Sequence, residues 1–210
     1  MPRTNTASDP SIFLVLPSGD VHIRFPTPTS NGRTTLTIPS HSKFTTTLHW
    51  HETHVEYIRL LKGRARITTD SLTKDYGPED GTIKIDEYVR HEYMRADIDR
   101  QGSNPDEGDV VILEWTDPED GLKEVMFRNG MSAFKDAGGK IRPGLIVQSV
   151  TFMAHLDNYP VLIPGFAEHY MAHAVLRVGS WLGYFCGMRW WYDEYTPPKL
   201  REMIADKKEA

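Results

Sequence analysis

Along the first half of the chain apolar and polar positions alternate in short runs, whereas in the second half apolar residues recur every three or four positions. Alternation of period two, rich in β-branched and aromatic side chains, predicts half-buried strands, because successive strand side chains point to opposite faces. The runs are Ile12–Leu16, Val21–Phe25, Thr34–Ile38, Phe44–Trp50, His54–Leu61, Arg64–Thr69, Thr82–Ile85, Glu92–Asp97 and Val110–Trp115. Turn-forming clusters (PSGD, PTPTSNG, IPSHS, RQGSNPDEG) separate them, and Lys62-Gly63 reads as the tight turn of a hairpin. About nine short strands at this spacing predict a sandwich or barrel, not alternating β and α.

From near Lys123 the period becomes helical: Val125, Met126, Met131 and Phe134, then Leu145, Val147, Val150, Phe152 and Met153. Gly138-Gly139 breaks the first helix, Pro143 starts the second, and Asn158-Tyr159-Pro160 ends it. A longer helix is predicted from about Pro164 to Phe185, and the tail after Pro197-Pro198 reads as a short, charged, solvated helix. The expected organisation is mainly β: a β-barrel domain over 1–122, and a helical C-terminal extension over 123–210 packed on the barrel or on a second subunit.

Composition narrows the possibilities. The 210 residues are 39% hydrophobic and 25% charged, ordinary for a globular domain, and 5 Trp, 9 Tyr and 8 Phe need a core to pack in. A net charge of -5 offers no electrostatic reason to bind nucleic acid or anionic lipid. The most apolar stretch, Val161 to Cys186, carries Glu168, His169, His173 and Arg177, which argues against a membrane span. One cysteine excludes an internal disulfide framework and a thiolate zinc site. The start of the chain, MPRTNTASDPSIF, shows no apolar signal segment, so a reducing, cytoplasmic setting is expected. GxSxG, GxGxxG after a strand, and a Walker-type loop are all missing, which removes the usual support for serine hydrolysis, nucleotide-cofactor redox chemistry and ATP hydrolysis.

The chemistry concentrates in Leu48-His49-Trp50-His51-Glu52-Thr53-His54-Val55-Glu56 and on to Gly63. In a strand His49 and His51 share a face, so two imidazoles can chelate a divalent metal from a rigid base, with Trp50 turned away into packing. Glu56, across the following turn, can add a carboxylate. Imidazole with carboxylate and no thiolate suits Fe(II), Mn(II), Ni(II) or Zn(II).

This pattern, HxH, four residues, Glu, six residues, Gly, resembles the first metal motif of the cupin superfamily, with Lys43 standing where a Gly is usual. The second cupin motif is approximated by Gly81 to His91, one residue short, with Asp86 and Tyr88 in place of Pro and Gly and Arg95 in place of an Asn. The resemblance covers roughly Ile12 to Trp115. It implies a single cupin jelly-roll barrel and one divalent metal ion per chain on His49, His51, Glu56 and His91, with Fe(II) the preferred ion. His54 reads as a surface or loop histidine, with a spare ligand as the alternative. Glu56 is expected to take part in catalysis, and Tyr88 and Arg90 to contact substrate.

His169, His173 and Arg177 fall on one helix face and read as a polar packing stripe, with anion or metal binding as alternatives. The aromatic run Trp181 to Tyr195 reads as an interface or core cover, with a lid over the barrel mouth or a membrane-facing patch as alternatives. The resemblance then implies a metal-dependent enzyme acting on a small organic molecule, apolar with a polar chelating end. An Fe(II)-type oxygenase like those of fungal secondary metabolism is the first expectation. A redox-neutral decarboxylase, isomerase or cyclase, or a non-catalytic metal- or ligand-binding cupin, is the alternative. A homodimer is expected.

Overall fold

The computed structural model describes residues 2–16, 19–27, 32–70, 72–99 and 108–206. Most of the expected RQGSNPDEG loop, parts of the PSGD and PTPTSNG turns and the last four residues of the charged tail lie outside them. The chain divides into two compact units, Pro10–Pro118 and Met1–Asp9 with Glu119–Ala210.

The first unit is all antiparallel β. Its strands are β1 (Ser11–Leu16), β2 (Gly19–Arg24), β3 (Thr34–Ile38), β4 (His49–Trp50), β5 (Val55–Lys62), β6 (Ala65–Thr69), β7 (Leu72–Tyr76), β8 (Thr82–Ile85), β9 (His91–Arg95) and β10 (Val110–Asp117). One sheet runs β1-β2-β3-β10-β5-β8 and the other β4-β9-β6-β7. The pairs β6·β7, β5·β8, β4·β9 and β3·β10 nest around one another and alternate between the sheets. That is a long hairpin wound up on itself, a jelly roll, hydrogen-bonded here as two sheets and not as a closed barrel. Alternation along the strands supplies the core: Leu36 and Ile38 on β3, Ile58 and Leu60 on β5, and Ile112 on β10 are buried, each contributing about 1.5–3 kcal/mol.

Two expectations change in this unit. Lys62-Gly63 does not close a hairpin, because β5 and β6 belong to different sheets and the turn carries the chain from one to the other. Gly63 has φ 73, and an added Cβ would sit 3.1 Å from the Asp109 carbonyl oxygen, so this turn demands glycine. The run Phe44–Trp50 is strand only at its end: Thr45 makes one isolated bridge to Met94, and Thr47, at φ 60, breaks the extended path.

The second unit carries α1 (Leu122–Asp136), α2 (Pro143–Met153), α3 (Glu168–Phe185) and α4 (Pro198–Asp206). Val125, Phe152, Leu156, Tyr192, Tyr195, Leu200 and Ile204 form its core. The α4 tail is therefore not simply solvated, since Leu200 and Ile204, four apart on one helix face, point into that core. The aromatic run divides likewise: Tyr192 and Tyr195 are buried, whereas Trp181 and Phe185 are exposed. The N-terminal residues belong here, with the Thr6 amide donating to the Glu194 carbonyl at 2.8 Å and the Arg128 guanidinium donating to the Ala7 and Asp9 carbonyls.

Asp136 ties this unit together, accepting from the Thr4 amide at 2.8 Å and the Tyr195 hydroxyl at 2.6 Å. Burial opposes its ionisation, but these hydrogen bonds outweigh burial and hold the carboxyl below its ordinary range. A carboxylate with a depressed folded pKa stabilises above its ordinary pKa, and that contribution disappears as pH falls through the depressed value. Replacing Asp136 with Asn is expected to lower unfolding free energy by about 1 kcal/mol at neutral pH. The loss should shrink toward strongly acidic pH in urea titrations followed by circular dichroism.

Candidate metal centre

The centre begins with one cross-strand pair. His49 on β4 lies directly opposite His91 on β9, with ring centroids 4.3 Å apart. His51, just past β4, brings its ring to 5.1 Å from His49 and 5.3 Å from His91. Glu56 arrives from the other sheet, on β5, with Oε2 2.9 Å from His51 Nε2 and 3.6 Å from His91 Nε2. All four side chains are buried, and one ligand atom from each lies within 4.8 Å of the others. The four sequence-identified candidates are thus brought together in space.

The imidazoles are oriented by their backbones. His49 Nδ1 is 2.8 Å from the Thr47 carbonyl, and His91 Nδ1 is 2.9 Å from the Val89 carbonyl. A carbonyl only accepts, so each Nδ1 carries a proton and is held against the backbone. Thr47 and Tyr88 shape these approaches at φ 60 and φ 64, a left-handed conformation that costs a non-glycine residue roughly 1–3 kcal/mol. The Tyr88 amide also donates to the His51 carbonyl at 2.7 Å. Burial first, then the neighbouring His91 and His51, push His49 well below the usual histidine range. Three imidazoles and one carboxylate are the donor set a first-row divalent ion takes, and this buried group could hold one such ion.

Other expected residues lie differently. His54 is buried with Nδ1 3.0 Å from the Thr53 hydroxyl and is not one of the four. Trp50 is buried and donates through Nε1 to Glu52, a packing role as expected. The Tyr88 side chain is largely exposed, and Arg90 forms an ion pair with Asp70 at 3.0 Å. Arg95 is buried, pairs with Asp97 and donates to the Ile38, Pro39 and Gly108 carbonyls, a structural clamp.

One pair was missed as a unit. Tyr93, two residues after His91, donates to Glu114 Oε2 at 2.5 Å in the buried interior. Burial first, then Glu114 and Glu56, raise the Tyr93 hydroxyl well above its ordinary value, so the phenol keeps its proton. The signal was an inward-phase glutamate in β10, where Val110, Ile112, Glu114 and Thr116 share the buried face and Thr116 pairs with Glu56.

No family model and no curated protein matches the chain. Solved structures resemble part of it. A predicted oxalate decarboxylase from Thermotoga maritima is 14% identical at TM-score 0.37, covering 54% of this chain and 96% of that one. The capsular polysaccharide assembling protein CapF from Staphylococcus aureus is 18% identical at TM-score 0.35 over 51% of this chain, which spans only 30% of the CapF chain. A putative sugar phosphate isomerase from Acidithiobacillus ferrooxidans is 19% identical at TM-score 0.30, covering 40% of this chain and 47% of that one. On its own strand order and buried His-His-Glu-His group, the β unit is cupin-like in fold and in the make-up of its site.

Replacing His51 with Ala should abolish stoichiometric metal content, read by elemental analysis, while far-UV circular dichroism is unchanged. Adding divalent metal at a hundredfold excess over Kd should stabilise the metal-free wild type by about 2.7 kcal/mol and leave the variant unmoved.

Proposed function

We propose that the protein is a metal-dependent enzyme acting on a small organic molecule, and specifically an Fe(II)-type oxygenase of secondary metabolism. The observation that carries this reading is the buried group of three imidazoles and one carboxylate. His49, His51, Glu56 and His91 would hold one Fe(II), with Mn(II), Ni(II) or Zn(II) as alternatives. A bound ion of this kind supplies Lewis acidity toward an enolate, carbonyl or carboxylate and, if iron, the means to activate dioxygen.

The chain's own residues supply the rest. Ile58 and Leu60 share the buried face of β5 with Glu56, so the interior beside the carboxylate is apolar, which would suit a substrate that is apolar except at a chelating end. Glu56 joins its neighbouring imidazoles through hydrogen-bond distance to His51, and the Tyr93 hydroxyl holds its proton against Glu114. Tyr88, largely exposed, and Arg90, ion-paired with Asp70, are proposed as substrate contacts on their place in the chain just before His91 alone. The single cysteine, Cys186, is free and exposed, in keeping with a reducing, cytoplasmic setting. Among the described residues no helix is long and apolar enough to cross a membrane.

Purified protein is expected to contain about one iron per chain and to consume dioxygen when supplied with apolar, enolisable carbonyl compounds. Stoichiometric zinc or manganese with no oxygen uptake would instead favour decarboxylation, isomerisation or cyclisation. A protein that takes up no divalent metal would overturn the enzymatic reading in favour of a ligand-binding role.

A further inference from the structure

The helix α3 is built inside out. Its buried face is mostly small, Ala172, Ser180 and Gly183 with Leu176, and an added Cβ at Gly179 would meet Val150 of α2 at 2.3 Å. Its large apolar side chains face outward: Met171, Val175, Val178, Trp181, Leu182 and Phe185. Their spacing is the stripe of a helix meant to pack on another helix, and it runs for four turns. Val178 is 69% exposed, Trp181 68% and Phe185 80%.

We infer that this stripe is the contact surface for a second copy of the chain, with the two α3 helices antiparallel across a two-fold axis at Val178. This inference stands independently of the metal centre. Three observations on the stripe select the occupant. Its six side chains expose on the order of 600–700 Å² of apolar surface, near the ~800 Å² each partner gives to a stable interface and above the patch most monomers leave bare. Its halves are complementary, with Met171 and Val175 toward the N-terminus and Trp181, Leu182 and Phe185 toward the C-terminus. Antiparallel pairing about Val178 sets each large end against a smaller one, whereas parallel pairing would crowd the aromatics at one end and leave a gap at the other. Finally, α3 holds one cation, Arg177, and the chain carries a net charge of -5, a poor match for a lipid surface that recruits helices through lysine and arginine.

Multi-angle light scattering of the full chain at micromolar concentration should give about twice the 24.0 kDa chain mass. Val178→Glu, which sets two carboxylates face to face on the axis, should return the mass to 24.0 kDa with unchanged far-UV circular dichroism. In a Cys186→Ser background, Val178→Cys should form a disulfide between copies on mild oxidation, since only a residue near the axis meets its own mate. A monomeric wild type, a V178E variant that remains dimeric, or failure of V178C to cross-link would each overturn the assignment. A monomer that co-sediments with phosphatidylcholine–phosphatidylserine vesicles would overturn it too, giving the stripe to a membrane surface.

Discussion

Four polar side chains that could hold a metal are confined in the β unit where water does not reach. Three imidazoles and a carboxylate lie with their ligand atoms within 4.8 Å of one another, all buried. Burial disfavours charge, so the imidazoles must be held in place as donors, His49 neutral among them, and a carboxylate needs positive or proton-donating neighbours. The structure meets the first requirement with backbone carbonyls: those of Thr47 and Val89 fix the Nδ1 protons and turn Nε2 inward. It holds Thr47 and Tyr88 in a disfavoured left-handed conformation to do so. His51, at 2.9 Å from Glu56, meets the second requirement in part, and a divalent cation held by all four side chains would meet it in full.

Topology delivers the ligands. In the wound hairpin, β4 and β9 are neighbours although they are far apart in the chain, which puts His49 opposite His91. β5 lies in the facing sheet, so Glu56 reaches the same point from the other side, and Glu114 on the adjacent β10 meets Tyr93 across the interior. Local stiffness comes from strands, and the ligand geometry inherits it.

Much of this was legible in the chain. Period-two alternation marks most strands, and the HxH, Glu, Gly spacing with the later His91 marks the four side chains that the fold brings together. Three features were not, each for a physical reason. Leu72–Tyr76 is an edge strand with no buried position, so it leaves no alternating signal. Glu114 can be read on either face of β10, since Val111, Leu113 and Trp115 make the opposite phase equally apolar and a single carboxylate carries no mark of its partner. The stripe on α3 merges with its buried face into one apolar run, and only the packing against α2 separates what is covered from what is bare.

The central claim is that His49, His51, Glu56 and His91 form one metal centre, and X-ray absorption at the metal edge tests it most directly. The account predicts a first shell of nitrogen and oxygen near ~2.0–2.2 Å with outer-shell scattering from three imidazoles. A shell containing sulfur, or oxygens alone without imidazole scattering, would contradict it.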